Sequence, residues 1–150
     1  MAHTYSNLLI HALFSTKHRT PLLDAELKPE IFSYLGGIIT QLRGRPFLIN
    51  GPKDHVHLLF VLPTTVSVAD FMEKLKANSA KWVHQRWPGR RGFSWQTGYT
   101  ACSVSHSNLA SVKKYIANQE AHHRKISFQE EVLAFLRKHE IEYDPRYVFD

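Results

Sequence analysis

Two rhythms of apolar residues alternate along the chain. Between Tyr5 and Ser15 the run Leu8-Leu9-Ile10-His11-Ala12-Leu13-Phe14 is nearly continuous, as in a strand covered on both faces, which predicts a central strand. After the basic turn from Thr16 to Pro21, residues Leu27, Ile31, Leu35, Ile38, Ile39 and Leu42 recur at helical spacing. That spacing predicts an amphipathic helix from about Asp24 to Leu42 with Asp24 as its N-cap. Phe47 to Asn50 and His55 to Leu62 read as two strands, and Gly51-Pro52-Lys53-Asp54 between them carries turn chemistry, so the pair forms a hairpin.

Ser67-Val68-Ala69-Asp70 resembles a capping box with Asp in place of Glu. Phe71, Leu75 and Trp82 then continue a helix to about Trp87 and Pro88. Gly89-Arg90-Arg91-Gly92 is a basic loop, and Gly98 to Val104 is a last strand. Leu109, Val112, Tyr115, Ile116 and Gln119 return to the helical period. Ser127-Phe128-Gln129-Glu130 is a second capping box, opening a helix through Val132, Leu133 and Leu136 that ends near His139. The order β-α-β-β-α-β-α-α predicts an α+β sandwich of the ferredoxin-like, RRM-like kind. Its antiparallel sheet carries helices on one face and additional helices at the C-terminus.

Composition narrows the class without naming a function. A chain of 150 residues fits one domain spanning 1–150, and 43% hydrophobic with 21% charged residues belongs to a folded protein rather than a disordered one. Lys and Arg number 19 against 13 Asp and Glu, and the resulting charge of +6 favours a polyanionic partner. Cys102 is the single cysteine, which excludes an intramolecular disulfide and makes it a buried residue rather than a reactive one. The start Met1-Ala2-His3-Thr4-Tyr5-Ser6 lacks the pattern of a secretory leader, and no apolar run approaches the roughly 18 residues of a membrane span. A cytoplasmic, membrane-free protein is expected. Ten histidines are the compositional oddity, since His serves both as metal ligand and as acid-base group.

His55 and His57 stand two apart on a predicted strand, so their side chains share a face about 6.5 Å apart along it. They are either two half-buried imidazoles or a pair able to hold one divalent metal. Tyr115 and Gln119 stand four apart on a predicted helix, about 6 Å apart at Cβ on one face, where Gln119 can reach the same metal. By itself this second pair is equally compatible with a core-packing tyrosine. His122 and His123 read either as phosphate contacts or as the C-terminal turn of that helix, with no catalytic role assigned, and Glu120 as an additional polar group near the site.

Together, Asp54-His55-Val56-His57-Leu58-Leu59 and Tyr115-Ile116-Ala117-Asn118-Gln119 resemble the HUH-superfamily single-tyrosine transposases of small bacterial insertion sequences, the insertion-sequence-200-like group. The resemblance runs over nearly the whole chain, including Trp95-Gln96-Thr97-Gly98-Tyr99 and the run from Phe93 to Val104. It implies that His55, His57 and Gln119 are metal ligands and that Tyr115 is the nucleophile attacking a DNA phosphodiester. A 5′-phosphotyrosine would then be resolved by a 3′ hydroxyl. It also implies Mg2+ or Mn2+ as cofactor, and a homodimer acting on single-stranded DNA with hairpin ends. Imidazole and amide ligands suit manganese, and a site completed by phosphate oxygens and water also uses magnesium.

Lys74, Lys76, Lys81, Arg86, Arg90 and Arg91 are the candidate cations for DNA backbone contacts. Trp95, with Trp82, Trp87 and Phe93, is a candidate face for base stacking. Two rival readings share these features. One is a non-catalytic single-stranded nucleic-acid binding module, although His55 and His57 stand where its stacking aromatics would be needed. The other is a metal-dependent nuclease that uses water and leaves nothing on the protein.

Overall fold

In the computed structural model, which describes residues 3–123 and 125–150, the apolar run becomes β1 (Leu8–Ser15). Met1 and Ala2, part of the start read above as lacking a leader, lie outside the described residues. β1 is central because it pairs antiparallel with β3 (His55–Leu62) on one side and with β4 (Thr100–Ser103) on the other. β2 (Arg45–Asn50) pairs antiparallel with β3 and completes the order β2-β3-β1-β4. Pro46 is tolerated because β2 is an edge strand, and the register shifts between Pro46 and Leu48.

The helices are α1 (Leu27–Gln41), α2 (Val68–Arg86), α3 (Leu109–Ala117), α4 (Gln119–His123) and α5 (Phe128–Lys138). Their starts follow the sequence signals. Asp24 Oδ1 accepts the Leu27 N–H at 2.9 Å, and Ser67 Oγ accepts the Asp70 N–H at 3.1 Å. Ser127 and Glu130 form the reciprocal capping box that opens α5.

Side-chain alternation sorts the two central strands into opposite environments. Ala12 and Phe14 of β1, with Val56, Leu58, Phe60 and Leu62 of β3, join the buried faces of α1 and α2 in the main core. The other face carries His11, Leu13 and Ser15 of β1 and His55 and His57 of β3. There Leu13 packs with Phe128, Val132 and Leu136 of α5 in a second, smaller core. The sheet is therefore the ferredoxin-like one expected, with α1 and α2 on one face. The C-terminal helices cover the opposite face, and the histidines lie beneath them.

Two elements differ from the sequence expectation. β4 covers only Thr100–Ser103, and the helix read as continuous from Leu109 to Gln119 breaks at Asn118, which leaves the helical region (φ −97, ψ 21). Asn is a poor helix-interior residue because its side chain offers the backbone local alternatives. The freed carbonyls are satisfied from outside: Asn50 Nδ2, at the end of β2, donates to Ile116 O at 2.9 Å and to Ala117 O at 3.4 Å. This clamp fixes α3 to the edge of the sheet.

Phe60 is fully buried and stacks on Phe71 with ring centroids 5.0 Å apart. Phe60→Ala removes that contact and leaves a cavity between β3 and α2. A loss of about 3 to 5 kcal/mol is expected, read as a fall in melting temperature on the order of 10 °C. A shift of a degree or two would contradict this account of the core.

Candidate active site and metal centre

β3 sets His55 and His57 side by side on the covered face, both with 0% exposure. Each ring is fixed through Nδ1. His55 Nδ1 lies 2.7 Å from Asp54 Oδ1, and His57 Nδ1 lies 2.8 Å from His11 Nε2. His123 of α4 is held in the same way, with Nδ1 3.0 Å from Ile126 O. An outer partner on one imidazole nitrogen orients the ring and leaves the other nitrogen to face inward, as in metal-binding histidines.

The three inward nitrogens converge on one point. Glu131 Oε1, from α5, lies 3.1 Å from His55 Nε2, 3.0 Å from His57 Nε2 and 3.1 Å from His123 Nε2. The ligand atoms of His55, His57, His123 and Glu131 all lie within 4.8 Å of one another. Despite its distance, His55 Nε2 is out of line for a hydrogen bond to Glu131. Among the described residues it and Gln119 Oε1 are the two buried side-chain atoms without a hydrogen-bond partner. Orphaned buried polar atoms are costly unless a group other than the side chains satisfies them. Both atoms belong to the ligand set that the resemblance implies, so the residues present fit a cation.

Tyr115 lies over this cluster. Its ring is 5.8 Å from that of His57, and its hydroxyl donates to Glu131 Oε2 and lies 3.2 Å from His122 Nε2. Gln119 is fully buried just beyond the break in the helix, with Nε2 donating to Tyr115 O at 3.3 Å. A cleft of about 510 Å³ opens onto the tyrosine, lined in part by Ser103, Ser105, Asn108, Ser111, Glu131 and Lys138.

Burial and pairing oppose one another across the cluster. Burial alone would raise Glu131, but hydrogen bonds with His123 and His57 and the His55 ring 3.1 Å away hold its carboxyl well below the usual range. For His55 burial is outweighed by Asp54 and Glu131, which raise it, whereas for His57 burial wins and lowers it. Tyr115 is raised by burial and by its contact with Glu131, so its hydroxyl is protonated at neutral pH.

Burial, and then His57, push His11 down to about 3. Its folded value is below the unfolded 6.5, so the unfolded chain binds the extra proton and stability falls as pH drops from 6.5 toward 3. Glu131 adds loss of the same sign below its ordinary 4.5, while raised His55 acts with opposite sign above 6.5. Between pH 4.5 and 6.5, His11→Gln is therefore expected to flatten the fall in stability by about 1.4 kcal/mol per pH unit. Denaturant titrations with parallel pH slopes for both proteins would contradict it.

Residues 4–119 match the family of IS200-like transposases. The chain belongs to this family. As an IS200-like transposase it is a DNA-processing enzyme, and its relatives agree with that membership. It is 27% identical over 124 residues to the transposase for insertion sequence element IS200 of Salmonella typhimurium, covering 79% of this chain and 81% of that one. It is also 27% identical over 114 residues to the ISDra2 transposase TnpA of Deinococcus radiodurans, covering 73% and 81%. Among solved structures, one described as a candidate transposase from Deinococcus radiodurans R1 superposes with a TM-score of 0.66 at 27% identity, covering 79% of this chain and 95% of that one. A REP-associated tyrosine transposase bound to a REP hairpin shares the fold, with a TM-score of 0.59 at 12% identity over 82% and 73% of the two chains.

The cations expected at the DNA surface lie away from Tyr115. Lys74, Lys76, Lys81, Arg86, Arg90 and Arg91 lie on α2 and the loop after it, across the sheet from Tyr115. Lys76 Nζ is committed to Thr97 O at 2.7 Å and Gly98 O at 2.8 Å, and burial lowers it to about 8. Arg90 pairs with Asp24 at 2.9 Å, and Arg86 with Glu30 at 3.7 Å. Lys74, Lys81 and Arg91 are exposed.

Trp95 is corrected outright as a stacking face. It is 7% exposed, its N–H donates to Ser79 Oγ, and its ring packs edge-on against Phe14, so no base can lie on it. Phe93 is likewise buried, and Trp82 stacks on Tyr34. Glu120 is exposed and Cys102 is buried, its thiol raised by burial. His11 and Glu131, which no motif singled out, lie in the cluster, and His122 and His123, read above as phosphate contacts or a helix terminus, join them. Among the described residues, no helix is long and apolar enough to cross a membrane.

Proposed function

We propose that this transposase cuts and rejoins single-stranded DNA at insertion-sequence ends through a covalent bond to Tyr115. The observation that carries this reading is the position of the Tyr115 hydroxyl, in the same chain, over the buried cluster that His55 and His57 form. In the cutting step the Tyr115 oxygen bonds to phosphorus, the bond from phosphorus to the 3′ oxygen breaks, and the 3′ oxygen leaves as a hydroxyl after taking a proton from water. The tyrosine proton has acceptors in place at His122 Nε2 and Glu131 Oε2. The bond energy is kept in the phosphotyrosine, so a later attack by another 3′ hydroxyl rejoins DNA without an outside energy source.

In this reading His55, His57 and Gln119 hold Mg2+ or Mn2+. The ion supplies Lewis-acid stabilisation of charge on the scissile phosphate. The chain's own residues do the rest. Asp54 and His11 orient the imidazoles, and the cleft beside Tyr115 admits the strand along its Ser103, Ser105 and Ser111 hydroxyls, with Lys138 as a cation at its wall. Exposed Lys74, Lys81 and Arg91 on the far side of the sheet suit the backbone of a folded hairpin. The working unit proposed is a homodimer acting on two DNA ends.

The test uses single-stranded DNA with a hairpin, labelled at its 3′ end, because the 5′ phosphate of the downstream piece is what the tyrosine retains. Label that stays on the protein through denaturing electrophoresis, only when Mg2+ or Mn2+ is present, supports the reading. Cleavage that leaves the protein unlabelled moves the assignment to a water-using nuclease, and binding without cleavage to a non-catalytic module. Light scattering checks the dimer.

A further inference from the structure

Glu131 is a buried carboxylate whose inner oxygen, Oε1, the assigned ligand set does not use. It interrupts the sheet-facing stripe of α5, where Phe128, Val132, Phe135 and Leu136 occupy the neighbouring helical positions and pack in the second core. It is 3% exposed, and a carboxylate is almost never buried so completely unless it is paired. Its two oxygens face different partners. Oε1 lies among the inward nitrogens of His55, His57 and His123, while Oε2 accepts the Tyr115 hydroxyl and lies 3.1 Å from His122 Nε2.

We propose that Glu131 is itself a ligand of the cation, with His123 beside it, and that its second oxygen ties the Tyr115 hydroxyl to the metal centre. The inference rests on the reading of His55 and His57 as a metal pair. It follows first from charge. Two imidazoles and an amide bring no negative charge to a divalent cation taken out of water, and an uncompensated buried charge is costly. Glu131 provides that charge inside the cluster, whereas Asp54 touches His55 only from its outer nitrogen. A carboxylate oxygen is also the donor that Mg2+ and Mn2+ prefer.

It follows next from geometry. The ligand atoms of the four residues already lie within 4.8 Å of one another, and His123 is turned inward by the same kind of outer contact that turns His55 and His57. Both added ligands stand beyond residue 119, where the match to the family ends, so α4 and α5 complete a site that the matched segment begins.

The experiment titrates the full chain with Mn2+ and follows loss of the electron paramagnetic resonance signal of the free aqueous ion. Glu131→Gln, close to the same shape but uncharged, is expected to weaken Mn2+ binding at least about tenfold, and the rise in melting temperature on adding Mn2+ is expected to shrink with it. Circular dichroism without metal reports whether the variant is folded. If it is not, Glu131→Asp carries the test, since a shorter carboxylate arm also weakens a true ligand. Affinity equal to wild type in the folded variant overturns the proposal. Tighter binding overturns it too, and marks Glu131 as a group that the cation displaces. His57→Ala in the same titration keeps the two readings apart: if it binds as wild type does, the metal pair itself is wrong.

Discussion

Tyr115→Phe is expected to abolish the covalent protein–DNA adduct and strand transfer together, a loss on the order of 10⁴-fold or more, as when other enzymes lose their nucleophile. The substitution removes the one oxygen that forms the ester. It keeps the ring that packs edge-on against His57 and His11, with centroids 5.8 and 6.3 Å away. Glu131 Oε2 loses the hydroxyl but keeps His122 Nε2 at 3.1 Å, so the buried carboxylate is not stranded. Folding and hairpin binding are therefore expected to survive. The check is a 3′-labelled single-stranded substrate followed by denaturing electrophoresis, beside a gel-shift with the same DNA. Adduct formation by the variant would remove Tyr115 as nucleophile.

His57→Ala is expected to be nearly as severe for a different reason. It removes an inward nitrogen that faces Glu131 Oε1 at 3.0 Å and releases His11 Nε2 from its 2.8 Å contact. Mn2+ affinity is expected to fall more than about 100-fold, beyond the usual effect of losing a residue that only supports a ligand. Cleavage and adduct should fall with it, in Mg2+ as in Mn2+. DNA binding should fall little, because Lys74, Lys81 and Arg91, proposed to hold the hairpin, lie across the sheet from the cluster. This variant also leaves a cavity beneath α5, so its apo stability should drop by roughly 2 to 5 kcal/mol. Full cleavage by a folded His57→Ala protein would disconnect the histidine pair from catalysis.

The two variants separate roles that a single loss of activity would merge. Tyr115→Phe leaves metal binding close to wild type if the hydroxyl only approaches the centre, whereas His57→Ala removes it. Metal titration of both, beside the adduct assay, therefore reports nucleophile and ligand independently.

The sequence determined by itself what depends on short spacing. Short apolar runs and helical patterning place β1, β3, α1, α2 and α5 close to where they lie, and Asp24, Ser67 and Ser127 mark the helix starts because a cap is a local hydrogen bond. The His55 and His57 pair is legible for the same reason, since alternation on a strand forces both onto one face. Glu131 was legible in principle: an acidic residue in the apolar stripe of α5 signals a buried partner, but nothing nearby in the chain names which one. Only the tertiary structure decided the rest. The break at Asn118 is stabilised by Asn50, from a distant strand, and His123 and Glu131 meet β3 only because α5 packs on Leu13. Charge along the chain groups the cations of α2 and its following loop as one DNA surface, but packing decides that they lie across the sheet from Tyr115 and that Arg86, Arg90 and Lys76 are held by nearby carboxylates and carbonyls while Lys74, Lys81 and Arg91 stay exposed. Trp95 looked like a stacking platform from its residue type, yet it fills the core. Which face of a helix or which end of a side chain meets solvent is set by packing between elements far apart in the chain, and spacing along the chain does not carry that information.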